Sequence, residues 1–128
     1  MSQTDKPTEG CCGPGPKLIF SCSGAADVGK VSDLAARKLT ADGAGKMFCL
    51  AGIGGRVSGI METTRVATAI LAIDGCPLDC AKKTLEQAEF TVFEHLRLSD
   101  LGMEKGKTAA TDEAVAKVVD LGKQRLAG

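Results

Sequence analysis

Two kinds of hydrophobic block alternate along the chain. Leu18-Ile19-Phe20 and Ile70-Leu71-Ala72-Ile73 are short, unbroken apolar runs. Bounded by turn residues, such runs predict strands buried on both faces. Elsewhere the apolar positions take helical spacing. Val28, Val31, Leu34, Ala35 and Leu39 mark a helix that follows Cys22-Ser23-Gly24 and runs to about Leu39. Asp42-Gly43-Ala44-Gly45 reads as a turn and Lys46–Leu50 as a second short strand. After the glycine-rich stretch Ala51–Gly59, a helix is predicted from about Ile60 to Ala67. Thr68–Ile73 is the third strand. Pro77 suits the first position of a helix, where its missing N–H costs nothing, so the next helix is read as Pro77–Glu89. Leu78, Ala81, Leu85 and Ala88 then form its core-facing stripe. Phe90–His95 is the fourth strand and Arg97–Ala110 is irregular. Thr111 is the expected N-cap of a last helix, with Asp112 and Glu113 in its first turn and Val115, Val118, Val119 and Leu126 on its apolar face.

A strand–helix unit repeated four times implies a parallel sheet with right-handed crossovers and helices on both faces. The expected fold is α/β: a three-layer, doubly wound, mostly parallel four-stranded sheet of order 2-1-3-4, flavodoxin- or Rossmann-like. Residues 17–128 make one domain, a length that suits a single core. Residues 1–16 read as a disordered arm, polar and rich in Gly and Pro, that contains Cys11-Cys12. There is no internal repeat.

Charge and composition narrow the function. The 128 residues carry 16 basic and 16 acidic side chains, a formal net charge of zero, which gives no support for nucleic-acid or membrane-surface binding. Aromatic residues are 3%, all Phe, so there is no stacking platform for bases. Neither a signal-peptide pattern nor a membrane-length apolar run is present, and a cytoplasmic location is expected. There the six cysteines would be reduced, which favours metal binding or thiol chemistry over disulfides.

Four of those cysteines fall at one edge of the predicted sheet. Cys22 ends strand one, Cys49 lies near the end of strand two, Cys76 follows strand three, and Cys80 lies one helical turn further on. The carboxyl ends of the strands are where open α/β sheets place ligands. Four sulfurs around zinc each lie about 2.3 Å from the metal, whereas neighbouring strands are about 4.8 Å apart. Convergence therefore needs a bend, for which Gly52, Gly54 and Gly55 are the expected source. A four-thiolate zinc would carry a formal charge of minus two. Helix N-termini after Cys22 and Cys76 would offset it, with Lys30, Lys82 and Lys83 nearby. Asp74 is a secondary ligand candidate, read first as a turn residue or N-cap. Asp79 is read as a partner of the helix dipole.

Three motifs here resemble those of the DGC-domain family: Cys22-Ser23-Gly24-Ala25-Ala26-Asp27-Val28-Gly29, Cys49-Leu50-Ala51-Gly52-Ile53-Gly54-Gly55, and Asp74-Gly75-Cys76-Pro77-Leu78-Asp79-Cys80. The resemblance spans roughly Lys17 to Leu126. It implies zinc binding, with the family's cysteines carried onto Cys22, Cys49, Cys76 and Cys80, and names no reaction.

Other readings compete less well. Gly52-Ile53-Gly54-Gly55 resembles a phosphate loop, but Val57 takes the place of the third glycine and the loop follows strand two. Cys22 occupies the place of the nucleophile in enzymes of the arsenate-reductase or low-molecular-weight phosphatase type. Their loop holds an oxyanion-binding arginine, and the loop after Cys22 offers only Lys30. A thiol redox protein would normally show Cys-x-x-Cys. An iron–sulfur cluster shares the four-thiolate requirement with zinc. His95, the single histidine, reads as a strand-end surface residue, and Met47, Met61 and Met103 as core filling. Cys11-Cys12 is read either as a tail without a role or as an arm that passes metal to the site. Counted from Cys12, the pair lies ten residues before Cys22, a reach of roughly 18 Å.

Overall fold

The structure, a computed structural model, describes residues 15–127. Cys11 and Cys12 lie outside the described residues, as does most of the expected arm. Four parallel strands, β1 (Lys17–Ser21), β2 (Lys46–Met47), β3 (Ala69–Asp74) and β4 (Glu94–Arg97), form one sheet in the order β2-β1-β3-β4. The expected order is therefore found. Its cause is visible in β3, where every residue from Ile70 to Asp74 is buried. A strand covered on both faces belongs at the centre of a parallel sheet.

The period-two alternation of β1 and β3 divides the core in two. Ile19, Leu71 and Ile73 face one layer, made by the helices α1 (Asp27–Ala41) and α5 (Asp112–Ala127). Leu18, Phe20, Ile70 and Ala72 face the other. That layer contains α2 (Leu50–Gly54), α3 (Ser58–Arg65) and α4 (Cys80–Gln87), which contribute Ile53, Met61, Ala81 and Leu85. Met61 and Met103 are buried and Met47 is partly buried against the first core, as core-filling methionines are. Among the described residues no helix is long and apolar enough to cross a membrane.

Four local expectations need correction. Gly15 and Pro16 are not a free arm: their carbonyls accept hydrogen bonds from Thr68 at the entry to β3. β2 is only two residues long, and Cys49 lies beyond it as the N-cap of a five-residue helix in the glycine-rich stretch. β4 begins at Glu94 rather than Phe90, and Val92 is 87% exposed. Lastly, α4 starts at Cys80 rather than Pro77, and Leu78 is 60% exposed instead of joining the core stripe. The cause of the last is Asp79, whose φ of 56° puts a left-handed residue between Pro77 and the helix and interrupts right-handed winding.

The segment after β4 begins with a 3₁₀ turn, Leu98–Leu101, and is otherwise irregular as expected. It is tied to the start of α1 by one side chain. The Asp27 carboxylate accepts N–H bonds from Gly106 and Thr108, both at 2.9 Å, and from Val28 at 2.7 Å. These donors, Gly106 first, hold the Asp27 carboxyl below its ordinary value of 3.8. A lowered carboxyl stabilises the fold fully above the ordinary value, and that contribution is lost as pH falls through the lowered one. We expect the backbone amide shifts of Gly106 and Thr108 to titrate together with a midpoint below 3.8, and the transition to vanish in Asp27→Asn. A midpoint at or above the ordinary value would show that the clamp does not form.

Candidate metal centre

Three strand ends bring the four cysteines to the carboxyl edge of the sheet. Cys22 directly follows β1, and its N–H still donates to Ile73 O of β3 at 3.0 Å, so the sheet fixes its backbone. Cys49 comes two residues after β2. Its thiol accepts the Gly52 N–H at 3.3 Å, taking the place of the usual Ser or Asp cap of α2. Cys76 lies two residues beyond β3, and Cys80 is the first residue of α4. Cys22 and Cys76 are half-buried; Cys49 and Cys80 are exposed.

Two hollows meet at Cys22. One, of about 500 Å³, is lined by Cys22, Cys76 and Cys80 together with Asp74, Leu78 and Lys105. The other, of about 520 Å³, is lined by Cys22 and Cys49 with Asp33, Arg37, Phe48 and Thr84. All four cysteines thus line a region of two hollows, with Cys22 lining both. A larger hollow of about 700 Å³ lies around Thr64–Ile70 and Ala88–Glu94, at the amino ends of β3 and β4. It contains no cysteine, so donor chemistry rather than volume selects the site.

The thiols border this region without closing on a common point. Zinc bound by four sulfurs at about 2.3 Å requires them to lie about 3.8 Å apart. Among the described residues no three cysteine sulfurs come within 4.8 Å of one another. The donor set fits a soft or borderline metal, and the loops after the strands must close further to hold it. Gly52 is not a source of that movement. A Cβ there would lie 2.1 Å from Ile60 Cδ1, so its glycine lets α2 and α3 pack closely. A Cβ at Gly54 or Gly55 would make only ordinary van der Waals contacts, the nearest at 3.5 Å.

A family model, the DGC domain, matches residues 18–121. The chain belongs to the DGC-domain family. It is 35% identical over 106 residues, 81% of each chain, to the anaerobic and virulence modulator AnvM of Pseudomonas aeruginosa. No solved structure matches the chain.

The Asp-Gly-Cys motif, Asp74-Gly75-Cys76, has a clear structural logic. Asp74 is 1% exposed. Its Oδ1 accepts the Ala81 N–H at 2.7 Å and its Oδ2 accepts the Lys82 N–H at 3.0 Å. A helix leaves its first N–H groups without partners, and a strand-end carboxylate caps α4 from outside it. Asp79, at the usual cap position, makes no such bond. Its carboxylate is held instead by the Arg97 guanidinium, with Nε 2.8 Å from Oδ1. That contact keeps the Asp79 carboxyl below the ordinary range against the opposing effect of burial, and raises Arg97 in return.

His95 is not the surface residue expected. Only 19% of its side chain is exposed, and Nε2 lies 2.8 Å from Asp74 Oδ2 and 3.8 Å from Asp79 Oδ1. Asp74, Asp79 and His95 are the one group of three potential metal ligands that the described residues bring together. Both Asp74 oxygens already accept backbone N–H groups and both Asp79 oxygens face Arg97, so the cluster is satisfied as a protein network. A sequence signal existed for it. His95 and Arg97 are two apart on a strand, hence on one face, but nothing local says which aspartates that face meets.

Gly75 makes the motif's second position indispensable. A Cβ there would lie 2.8 Å from Val28 Cγ2 and 2.9 Å from both the C and O atoms of Val28. The loop after β3 therefore rests directly on the backbone of α1. Gly75→Ala forces these apart, and overpacking of this kind costs about 1–3 kcal/mol. Denaturant unfolding should show that loss. Unchanged stability would mean the two segments move apart freely.

Proposed function

We propose that the protein holds one zinc ion through Cys22, Cys49, Cys76 and Cys80 at the carboxyl edge of the sheet, in a structural, sensing or metal-handling role in the reducing cytoplasm. The observation that carries this reading is the delivery of four thiols by three adjacent strand ends to two hollows that share Cys22. Family membership supports it. The relative's name, a modulator of anaerobiosis and virulence, supports a regulatory rather than a catalytic use of the site. A thiolate set takes zinc readily and leaves no open position for a substrate.

Nothing in the site favours phosphoryl or arsenate chemistry. The loop between Cys22 and α1 contains no arginine. Arg37 borders the hollow shared by Cys22 and Cys49, but its Nε donates to Asp33 at 2.7 Å. The loop that would cradle an oxyanion beside the Cys22 thiol thus carries no guanidinium of its own.

Zinc would supply two things to this chain. It would join loops that no hydrogen bond joins, and it would make its own loading depend on thiol state and pH, because thiolates rather than thiols ligate. The fold has two apolar cores apart from the metal, so the metal-free chain should stay folded.

Reduced, purified protein is expected to contain one zinc by elemental analysis and to give thiolate–cobalt charge-transfer bands after exchange. Each of Cys22→Ser, Cys49→Ser, Cys76→Ser and Cys80→Ser should weaken both signals. A chelator should shift NMR signals of residues 21–24, 49–55 and 75–81 and leave residues 115–126 nearly unchanged. Metal-free reduced protein with four titratable thiols at these positions would sink the reading.

A further inference from the structure

β4 carries no cysteine, yet two of its side chains hold the segment that carries two of them. We propose that His95 and Arg97 are positioning residues that fix the Cys76–Cys80 loop through Asp74 and Asp79, and so set the metal affinity of the site. This inference rests on the four-thiolate reading for its metal readout only.

The argument begins with register. Ala72 is paired with His95 and Asp74 with Arg97. Side chains two apart on a strand share a face, so Ala72, Asp74, His95 and Arg97 all point to the α4 side of the sheet. There His95 Nε2 meets Asp74 Oδ2 at 2.8 Å. Asp74 already accepts two backbone N–H groups from α4. Both Asp74 oxygens are thereby engaged, and the His95 ring stands directly against one of them. Arg97 meets Asp79 with two of its nitrogens, the fork geometry that restrains a carboxylate in orientation as well as distance.

Asp74 and Asp79 are the two ends of one loop. Cys76 lies between them and Cys80 follows the second. Asp79 sits at φ 56°, a conformation a non-glycine residue keeps only when its surroundings hold it. Its backbone also closes the turn: its N–H donates to Cys76 O at 3.2 Å, and its O accepts the Lys83 N–H at 2.8 Å. Releasing Arg97 would free Asp79 to relax, and α4 would then lose the start that places Cys80. Releasing His95 would leave a buried carboxylate with one partner fewer and loosen the cap of the same helix. Both effects converge on where the two thiols stand. Partners that orient metal-bearing groups in this way typically alter metal affinity by about 10–100-fold.

The test compares His95→Phe and Arg97→Met with the conservative His95→Gln and with Val119→Ala, a core change in α5 remote from the site. Cobalt titration of the reduced protein should show affinity about 10–100-fold weaker in His95→Phe and Arg97→Met, with altered thiolate–cobalt bands. His95→Gln should recover most of the loss. Val119→Ala should lower global stability but leave cobalt affinity within about twofold. In metal-free protein, amide exchange of Ala81 and Lys82 should be at least about tenfold faster in His95→Phe and Arg97→Met than in Val119→Ala, because those two N–H groups are the ones Asp74 caps. Parent-like affinity and parent-like exchange in both β4 variants would overturn the proposal. So would an affinity loss that tracks global stability in all variants alike. If the parent binds no cobalt, the four-thiolate reading fails, and the exchange of Ala81 and Lys82 alone decides whether β4 positions the loop.

Discussion

The molecule depends on how a strand buried on both faces comes to an end. β3 runs through the centre of the sheet with apolar layers above and below it. At its last residue the chain must turn, start a helix and satisfy that helix's first N–H groups where little water reaches. A single buried carboxylate meets the last of these demands. Asp74 completes β3, pairs in register with Arg97, and accepts the N–H groups of Ala81 and Lys82 from the helix that follows. Had the cap been supplied inside the helix, the loop 75–79 would be free to wander. Because it comes from the strand, the loop is pinned at both ends, and Cys76 and Cys80 ride on it. Glycine at 75 then follows by necessity, since the pinned loop lies against the Val28 backbone.

The other strand ends obey the same constraint more weakly. Cys22 is still bonded to β3 through its own N–H, and Phe48 to β1 through Ile19 O. Cys22 thus bears a fixed hydrogen bond on its own backbone, and Cys49 comes one residue past another. Cys49 has in addition become a cap: its sulfur accepts the Gly52 N–H. Under the four-thiolate proposal a metal-bound thiolate would keep that acceptor ability, so α2 would be able to move with Cys49 rather than resist it.

Much of this was legible in the chain, and the limits have physical reasons. The apolar runs Leu18–Phe20 and Ile70–Ile73 announced central parallel strands because only double burial tolerates them, and the strand order followed from the alternation of elements. The placement of Cys22 and Cys76 at strand ends followed from the same runs. Leu78 misled because its spacing from Ala81 and Leu85 is helical, while the decision was made by Asp79, whose left-handed backbone depends on Arg97 eighteen positions later. His95 was misread for the same reason. Nothing near it in the chain points to its partner Asp74, which is 21 positions away. Gly52 looked like a hinge because glycine serves both for bending and for close approach, and Ile60 makes it the second.

Charge gives the last constraint. On the proposed reading, four thiolates on a divalent ion would leave an excess of negative charge at an edge that already contains Asp74 and Asp79. The two aspartates are not bare: backbone N–H groups face one, and a guanidinium faces the other. The carboxylates are thus compensated locally, and under that proposal they would add less repulsion to the sulfurs than their number implies. The same arrangement argues against Asp74 as a fifth donor. To reach a metal it would have to surrender two N–H bonds and uncap α4, the helix that presents Cys80. A motif with an aspartate two positions before a cysteine therefore divides its labour: the carboxylate builds the helix start and the thiol takes no part in that cap.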